Sequence, residues 1–277
     1  MSKRCVRRPP HSMKLLTINV GNPSPTRAER QLAWLSGRSD DVLVLSELGT
    51  GSGSTMLVDC LAVAGYATIW QKPPADERGV LLATRLEVAD ALAGPAFLPW
   101  RASAAVFQDS HVVVVGVYVP SRDASPEKTE RKRRFLVEMC RWLDGLSHEK
   151  VRLVIGDFNL LDRHHVPRHG FFGEWEYAVF DTLSASGLVD AFRLVEPNRQ
   201  EYSWIDRGGE GYRFDHCLVD RVVATKVREC SYLHETRQGG LTDHSAMELD
   251  INMGTTLKVR QVGPITALQP SLFDVGG

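Results

Sequence analysis

Between Arg152 and Asn159 the chain reads Arg-Leu-Val-Ile-Gly-Asp-Phe-Asn, an apolar run of strand character that ends in an Asp and an Asn. Residues two apart on a strand point to the same side, so Asp157 and Asn159 are expected to face one cleft. The pattern recurs along the chain. The run 15–19 ends in Asn19, the run 41–47 ends in Glu47, and the run 112–118 leads into Tyr118-Val-Pro120. Further on, Leu241-Thr-Asp-His-Ser245 precedes the alternating run 246–251, which sets Asp243 and His244 at the mouth of another strand. A single Asp-x-Asn after a strand commonly does no more than cap its own backbone. Strand after strand finishing in a polar group predicts instead a shared polar floor.

Helical periods lie between these strands. Residues 27–35 space Ala28, Leu32 and Leu35 for a helix, and Gly49–Ser54 reads as a Gly/Ser-rich loop. Residues 78–84 and 104–107 read as further strands. The clearest helix runs 126–146, with Phe135, Met139, Trp142, Leu143 and Leu146 on one side. Another is expected over 176–186, and the last third is strand-rich at 213–219, 227–233 and 245–251. Strands on both sides of each helix, without repeats or a linker, predict an α/β (α+β) domain of two sheets packed face to face with helices outside. The expected organisation is a flexible basic extension over 1–13 (Met13 being an alternative start), one catalytic domain over 14–253, and a flexible tail over 254–277.

A formal net charge of −1 argues against the basic footprint of a small nucleic-acid binder, though it leaves room for a local basic face. Lys128 and Arg131 to Arg134 read as a solvated helix face; His164, His165 and His169 read as loop residues without metal-ligand spacing. Cys5, Cys60, Cys140, Cys217 and Cys230 are scattered and contain no Cys-x-x-Cys, so reduced thiols in a cytoplasmic protein are expected. No apolar run is long enough for a membrane span, and the basic start has no apolar core behind it for a secretory signal.

From about Lys14 to Asn252 the ordered set Asn19, Glu47, Tyr118-Val-Pro120, Gly156-Asp-Phe-Asn159, Asp215 and Thr242-Asp-His244 resembles the endonuclease/exonuclease/phosphatase superfamily. Gly187-Leu-Val-Asp-Ala-Phe-Arg193 and Tyr202-Ser-Trp204 are similar to segments of its DNA-repair members. Tyr118 stands where phosphatase, sphingomyelinase and deoxyribonuclease I-like members place a His, which resembles the exonuclease III and abasic-endonuclease branch. The resemblance implies a four-layer, deoxyribonuclease I-like sandwich of mostly antiparallel sheets, and a Mg²⁺-dependent DNA-repair phosphodiesterase, with Mn²⁺ as a substitute ion. It would act as a monomer on duplex DNA, at abasic sites or at 3′ ends. The rival reading is a metal-dependent phosphatase or phosphodiesterase acting on RNA or on small or lipid phosphates.

The resemblance also implies roles. Glu47 would ligate Mg²⁺, an ion that prefers oxygen donors, with Asp243 assisting and Asn19 orienting the site. Asp157 would position and deprotonate the attacking water, and Asn159 would hold that carboxylate or a phosphate oxygen. His244, kept cationic by Asp215, would donate to the charge developing on the phosphate. Tyr118 would either hydrogen-bond the phosphate or aid the metal site as a phenolate. Trp204, Tyr212 and Phe214 would line a pocket for a base-less sugar, and Arg122 would contact phosphate near the cleft. Two departures, Gly21 and Ser46, weigh against a second metal ion, and the short loop 205–211 weighs against strong lesion preference. Finally, Gln269-Pro-Ser-Leu-Phe273 resembles a bacterial sliding-clamp peptide, with Gln269, Leu272 and Phe273 as its contacts.

Overall fold

The computed structural model describes residues 12–108, 110–146, 150–254 and 257–266. The first half of the chain forms β1 (Ser12–Asn19), α1 (Pro25–Ser36), β2 (Val42–Leu48), α2 (Ser52–Val63), β3 (Ala67–Trp70), β4 (Gly79–Thr84), β5 (Val88–Leu92), β6 (Ala102–Phe107) and β7 (Val112–Tyr118). Next come α3 (Pro126–Leu146), β8 (Val151–Asp157), α4 (Glu174–Ala185), β9 (Leu188–Asp190) and α5 (Ala191–Val195). The last third holds β10 (Trp204–Ile205), β11 (Gly211–Tyr212), β12 (Asp215–Asp220), β13 (Val227–Leu233), α6 (Glu235–Gln238) and β14 (Ala246–Asn252).

Two six-stranded sheets carry the fold, in the orders β13-β14-β1-β2-β4-β3 and β5-β6-β7-β8-β12-β9. Near the middle of each lies one parallel pair, β1/β2 in the first and β7/β8 in the second; the other pairings are antiparallel. Val44, Val80, Val114, Ile155, Cys217 and Met247 belong to one fully buried cluster between the sheets. A second cluster joins α3 and α4 to the sheet of β7 and β8, and a third joins α1 and α2 to the sheet of β1 and β2. The four layers expected from the sequence are therefore present. At Gly116 the facing sheet leaves no room for a side chain: an added Cβ would lie 2.7 Å from Val44 and 2.9 Å from Val80.

Three expectations change. The Gly/Ser-rich segment does not remain a loop: Gly51 caps α2. An added Cβ on Gly53 would lie 2.1 Å from the Pro23 carbonyl, so a glycine there lets the helix start against a neighbouring turn. At the N-terminal side, order begins before residue 14, because Ser12 pairs with Asn252 and Met13 is fully buried. At the other end, part of the tail packs on the domain. Arg260 and Gly263 donate backbone hydrogen bonds to Arg85 and Ala64, and Ile265 is buried against the α1/α2 layer. Gln269, Leu272 and Phe273 lie outside the described residues. No helix among the described residues is long and apolar enough to cross a membrane.

Candidate active site

The two parallel pairs determine where the polar residues collect. Asn19 and Glu47 sit at the C-terminal ends of β1 and β2, and Tyr118 and Asp157 at those of β7 and β8. The antiparallel neighbours run the other way and bring their N-terminal ends to the same edge: Asp215 opens β12 directly opposite Asp157, and His244 precedes β14. A cavity of about 390 Å³ opens there, with Asn19, Glu47, Tyr118, Asp157, Asn159 and His244 in its wall.

Hydrogen bonds tie the cluster across the sandwich. The Asn19 Nδ2 donates to Glu47 Oε2 at 2.9 Å and to Asp157 Oδ2 at 2.9 Å. The Asn19 Oδ1 accepts from the Gly21 N–H, and Thr242 Oγ1 donates to the Asn19 carbonyl at 2.6 Å. Asp157 Oδ1 accepts from the Asn159 N–H at 2.8 Å, while Asn159 Nδ2 donates to the Val119 carbonyl and to Asp157 Oδ2. His244 Nδ1 lies 2.7 Å from Asp215 Oδ2. Glu47 is turned inward by local backbone strain. It has φ +62°, and the β2/β4 register slips between Ser46 and Leu48, as in a bulge that re-aims a side chain.

Burial and neighbouring charge set the protonation states. Asp157 is raised to about 7, first by burial and then by the nearby Asp215 carboxylate, against the opposing pull of His244. Burial works against charge on His244, but Asp215 outweighs it and the imidazole rises to about 9. At pH 7 His244 is therefore a cation. Tyr118 is pushed upward by burial and by the charges of Glu47 and Asp157, which favours the phenol over the phenolate. Its ring lies 4.7 Å from the Arg101 guanidinium.

Asp243 stands beside the cluster, its Oδ2 accepting from the Trp204 indole N–H at 3.0 Å. Trp204 begins an aromatic wall: its ring is 5.8 Å from Phe214, Phe214 is 5.2 Å from Tyr212, and Tyr212 stacks on His169 at 4.4 Å. His169, expected only as a loop residue, thus belongs to the cavity wall. Arg122, expected near the cleft, lines the same cavity. Its guanidinium binds buried Glu176, with Nη2 to Oε2 at 2.6 Å and Nε to Oε1 at 3.1 Å, so it is committed to protein. Lys132, part of the expected solvated face, is 1 % exposed and binds Glu176 and the Asn159 carbonyl. A signal for this was present, since Lys132 falls on the helical face of Phe135, Leu136 and Met139. Phe171 and Phe172, also in the wall, carried no recognisable pattern.

A second group of potential ligands, Asp162, Asp190 and His216, has its ligand atoms within 4.8 Å of one another, and none of the three lines the cavity. Arg213, fully buried, donates to both carboxylates, 2.5 Å to Asp190, so the protein supplies the positive charge there itself.

Solved structures share this architecture. The chain superposes with TM-score 0.76 on a 3′ phosphatase, NExo, from Neisseria bound to a product DNA hairpin, at 24% identity over 86% of this chain and 99% of that one. A 3′-5′ exonuclease, NExo, from Neisseria meningitidis gives TM-score 0.75 at 25% identity, covering 87% and 100%. An AP endonuclease from Archaeoglobus fulgidus gives 0.74 at 22% identity, covering 87% and 100%. Residues 16–244, which span the polar cluster from Asn19 to His244, match the Endonuclease/Exonuclease/phosphatase family, and the chain belongs to it.

Proposed function

We propose that the protein is a divalent-metal-dependent DNA-repair phosphodiesterase. It would cleave the DNA backbone on the 5′ side of abasic sites, or remove nucleotides from 3′ ends, leaving a 3′-hydroxyl. The observation that carries this reading is the linked set Asn19–Asp157 and His244–Asp215 on the floor of a cavity walled by aromatic rings. The similar structures named for 3′ phosphatase, 3′-5′ exonuclease and AP endonuclease activities support DNA as the substrate class.

The donor set suits a hard cation. Among the described residues no Lys or Arg forms an ion pair with Glu47, Asp157 or Asp243, and Glu47 is aimed into the cavity by a strained backbone. Carboxylate and amide oxygens are the ligands Mg²⁺ and Mn²⁺ prefer. Glu47 would hold the ion, with Asp243 assisting and Asn19 orienting the carboxylates. When bound, the ion supplies Lewis-acid neutralisation of the phosphodiester charge.

The protein's own groups do the rest. Asp157, poised near neutrality and held by Asn19 and the Asn159 amide, takes a proton from the attacking water. The water oxygen bonds to phosphorus as the P–O3′ bond breaks. His244, cationic because of Asp215, donates a hydrogen bond to a non-bridging oxygen as negative charge builds. Tyr118, as a phenol, offers a second donor. Trp204, Tyr212 and Phe214 would face the sugar. The tail peptide with Gln269, Leu272 and Phe273 would dock on a sliding clamp.

The test is cleavage of a labelled duplex carrying one abasic-site analogue, beside an undamaged duplex with a recessed 3′ end, with Mg²⁺ or with chelator. Incision or 3′ trimming that needs Mg²⁺ and drops about 10²–10⁴-fold in Asp157→Asn is the expected result. Activity confined to RNA or small phosphate esters would overturn the DNA reading.

A further inference from the structure

Phe171 is the outlier of the cavity wall. It is 49 % exposed, and among the described residues every other Phe, Trp and Tyr is more buried. Exposed phenyl rings need a reason, because leaving one in water forgoes about 1.5–3 kcal/mol of burial. Here the ring is also held in place. The Arg122 guanidinium covers one face at 4.2 Å, and its Nη2 donates to the Phe171 carbonyl at 2.6 Å. Arg122 itself is locked by Glu176, whose carboxylate is buried at the start of α4 and held ionised by Arg122 and Lys132. Phe172 meets Phe171 edge-on at 5.5 Å and 87° and leads on to Phe214 at 6.0 Å. Arg122 covers one face, Phe172 packs against the ring, and Phe171 lines the cavity that contains Asp157 and His244.

We propose that Phe171 is a stacking platform for the nucleobase next to the scissile phosphate. The inference rests on the DNA reading above and adds to it a base-binding subsite on the loop between β8 and α4. An aromatic ring fixed before binding loses little conformational entropy when a base stacks on it. Stacking is also tolerant of sequence, because every base has a π-face. The contact therefore sets position along the strand without reading sequence. Arg122 acts through Phe171: the residue expected to grip phosphate instead fixes the ring that grips the base.

The experiment uses the full chain and oligonucleotides with 2-aminopurine placed in turn on each side of the scissile bond. Binding is followed in the Asp157→Asn background with Mg²⁺, and turnover in the otherwise unaltered protein. Binding should quench the fluorophore at one position. Phe171→Leu should restore that emission, weaken DNA binding about 5- to 100-fold and raise KM more than it lowers kcat. Phe171→Tyr, which keeps the ring, should retain quenching and affinity. Unchanged quenching and affinity in Phe171→Leu would overturn the platform. Equal weakening on an oligonucleotide that lacks the neighbouring base would overturn it too. A parent protein that binds no DNA would sink the substrate reading itself, which is a separate and recognisable failure.

Discussion

Asp157 and His244 show how a cluster of ordinary residues acquires chemistry. Neither side chain is unusual by itself. Placed in the same buried floor, Asp157 loses hydration and faces Asp215, so its proton affinity rises to about 7. His244 loses hydration too, yet the adjoining carboxylate at 2.7 Å wins and holds its proton to about 9. With Asp157 as the proposed base and His244 as the proposed donor, the signs predict a bell-shaped pH profile. Asp157 is neutral below its raised pKa, where it would be unable to act as a base; His244 loses its proton above its own, and with it the proposed donor role. A bound divalent cation would favour the carboxylate and so move the rising limb below pH 7. In Asp215→Asn the carboxylate that raises both groups is gone, and both limbs should move to lower pH. Measuring kcat/KM against pH checks this, and limbs that stay put or move upward would refute it.

Elements of secondary structure place these residues through details smaller than a strand. The bulge at Glu47 and the left-handed Asn159, at φ +46°, aim two polar groups into one cavity. Both conformations cost of order 1–3 kcal/mol and persist because neighbours enforce them. For Asn159 one enforcer is α3, whose Lys132 Nζ donates to its carbonyl at 2.7 Å while pairing with Glu176 at 2.8 Å. Burial pulls the Lys132 pKa down and the Glu176 carboxylate opposes that shift. Lys132→Met should cost about 3 kcal/mol by urea denaturation, since it leaves a buried carboxylate with one partner fewer. It should lower kcat as well. A variant as stable as its parent would show that the Lys132–Glu176 pair adds nothing over a methionine. At this scale much was legible. The helix of α3 and the strands β8 and β14 follow plainly from apolar period. The start of α2 did not, because Ser and Gly have no helical period to read, and β10 and β11 are too short to display alternation. Lys132 was misread because a cationic run looks like a solvated face, although its position on the apolar side was visible.

The molecule as a whole decides whether there is a site at all. Asn19 and Glu47 belong to one sheet, with His244 just ahead of its strand β14, while Tyr118, Asp157 and Asp215 belong to the other. The Asn19–Asp157 and His244–Asp215 hydrogen bonds therefore cross the sandwich, and the spacing of the sheets sets their length. Gly116 is a tight point of that spacing, without room for a Cβ against Val44 and Val80. Gly116→Ala should force the sheets apart locally, cost about 1–3 kcal/mol of stability, and reduce activity without touching a polar residue. Thermal unfolding beside kcat/KM tests it; loss of stability with full activity would show that the site tolerates changed spacing. By itself the sequence determined strands β1, β2, β4, β6 to β8 and β12 to β14, the long helix, the family motifs and the identities of the polar residues, because apolar period and motif spacing are local properties of a chain. Only the tertiary structure decided that Arg122 turns to Glu176 and Phe171, and that His169 joins the aromatic wall. Those outcomes depend on which side chains meet across two sheets and a loop, and contacts between distant residues leave no periodic trace in sequence.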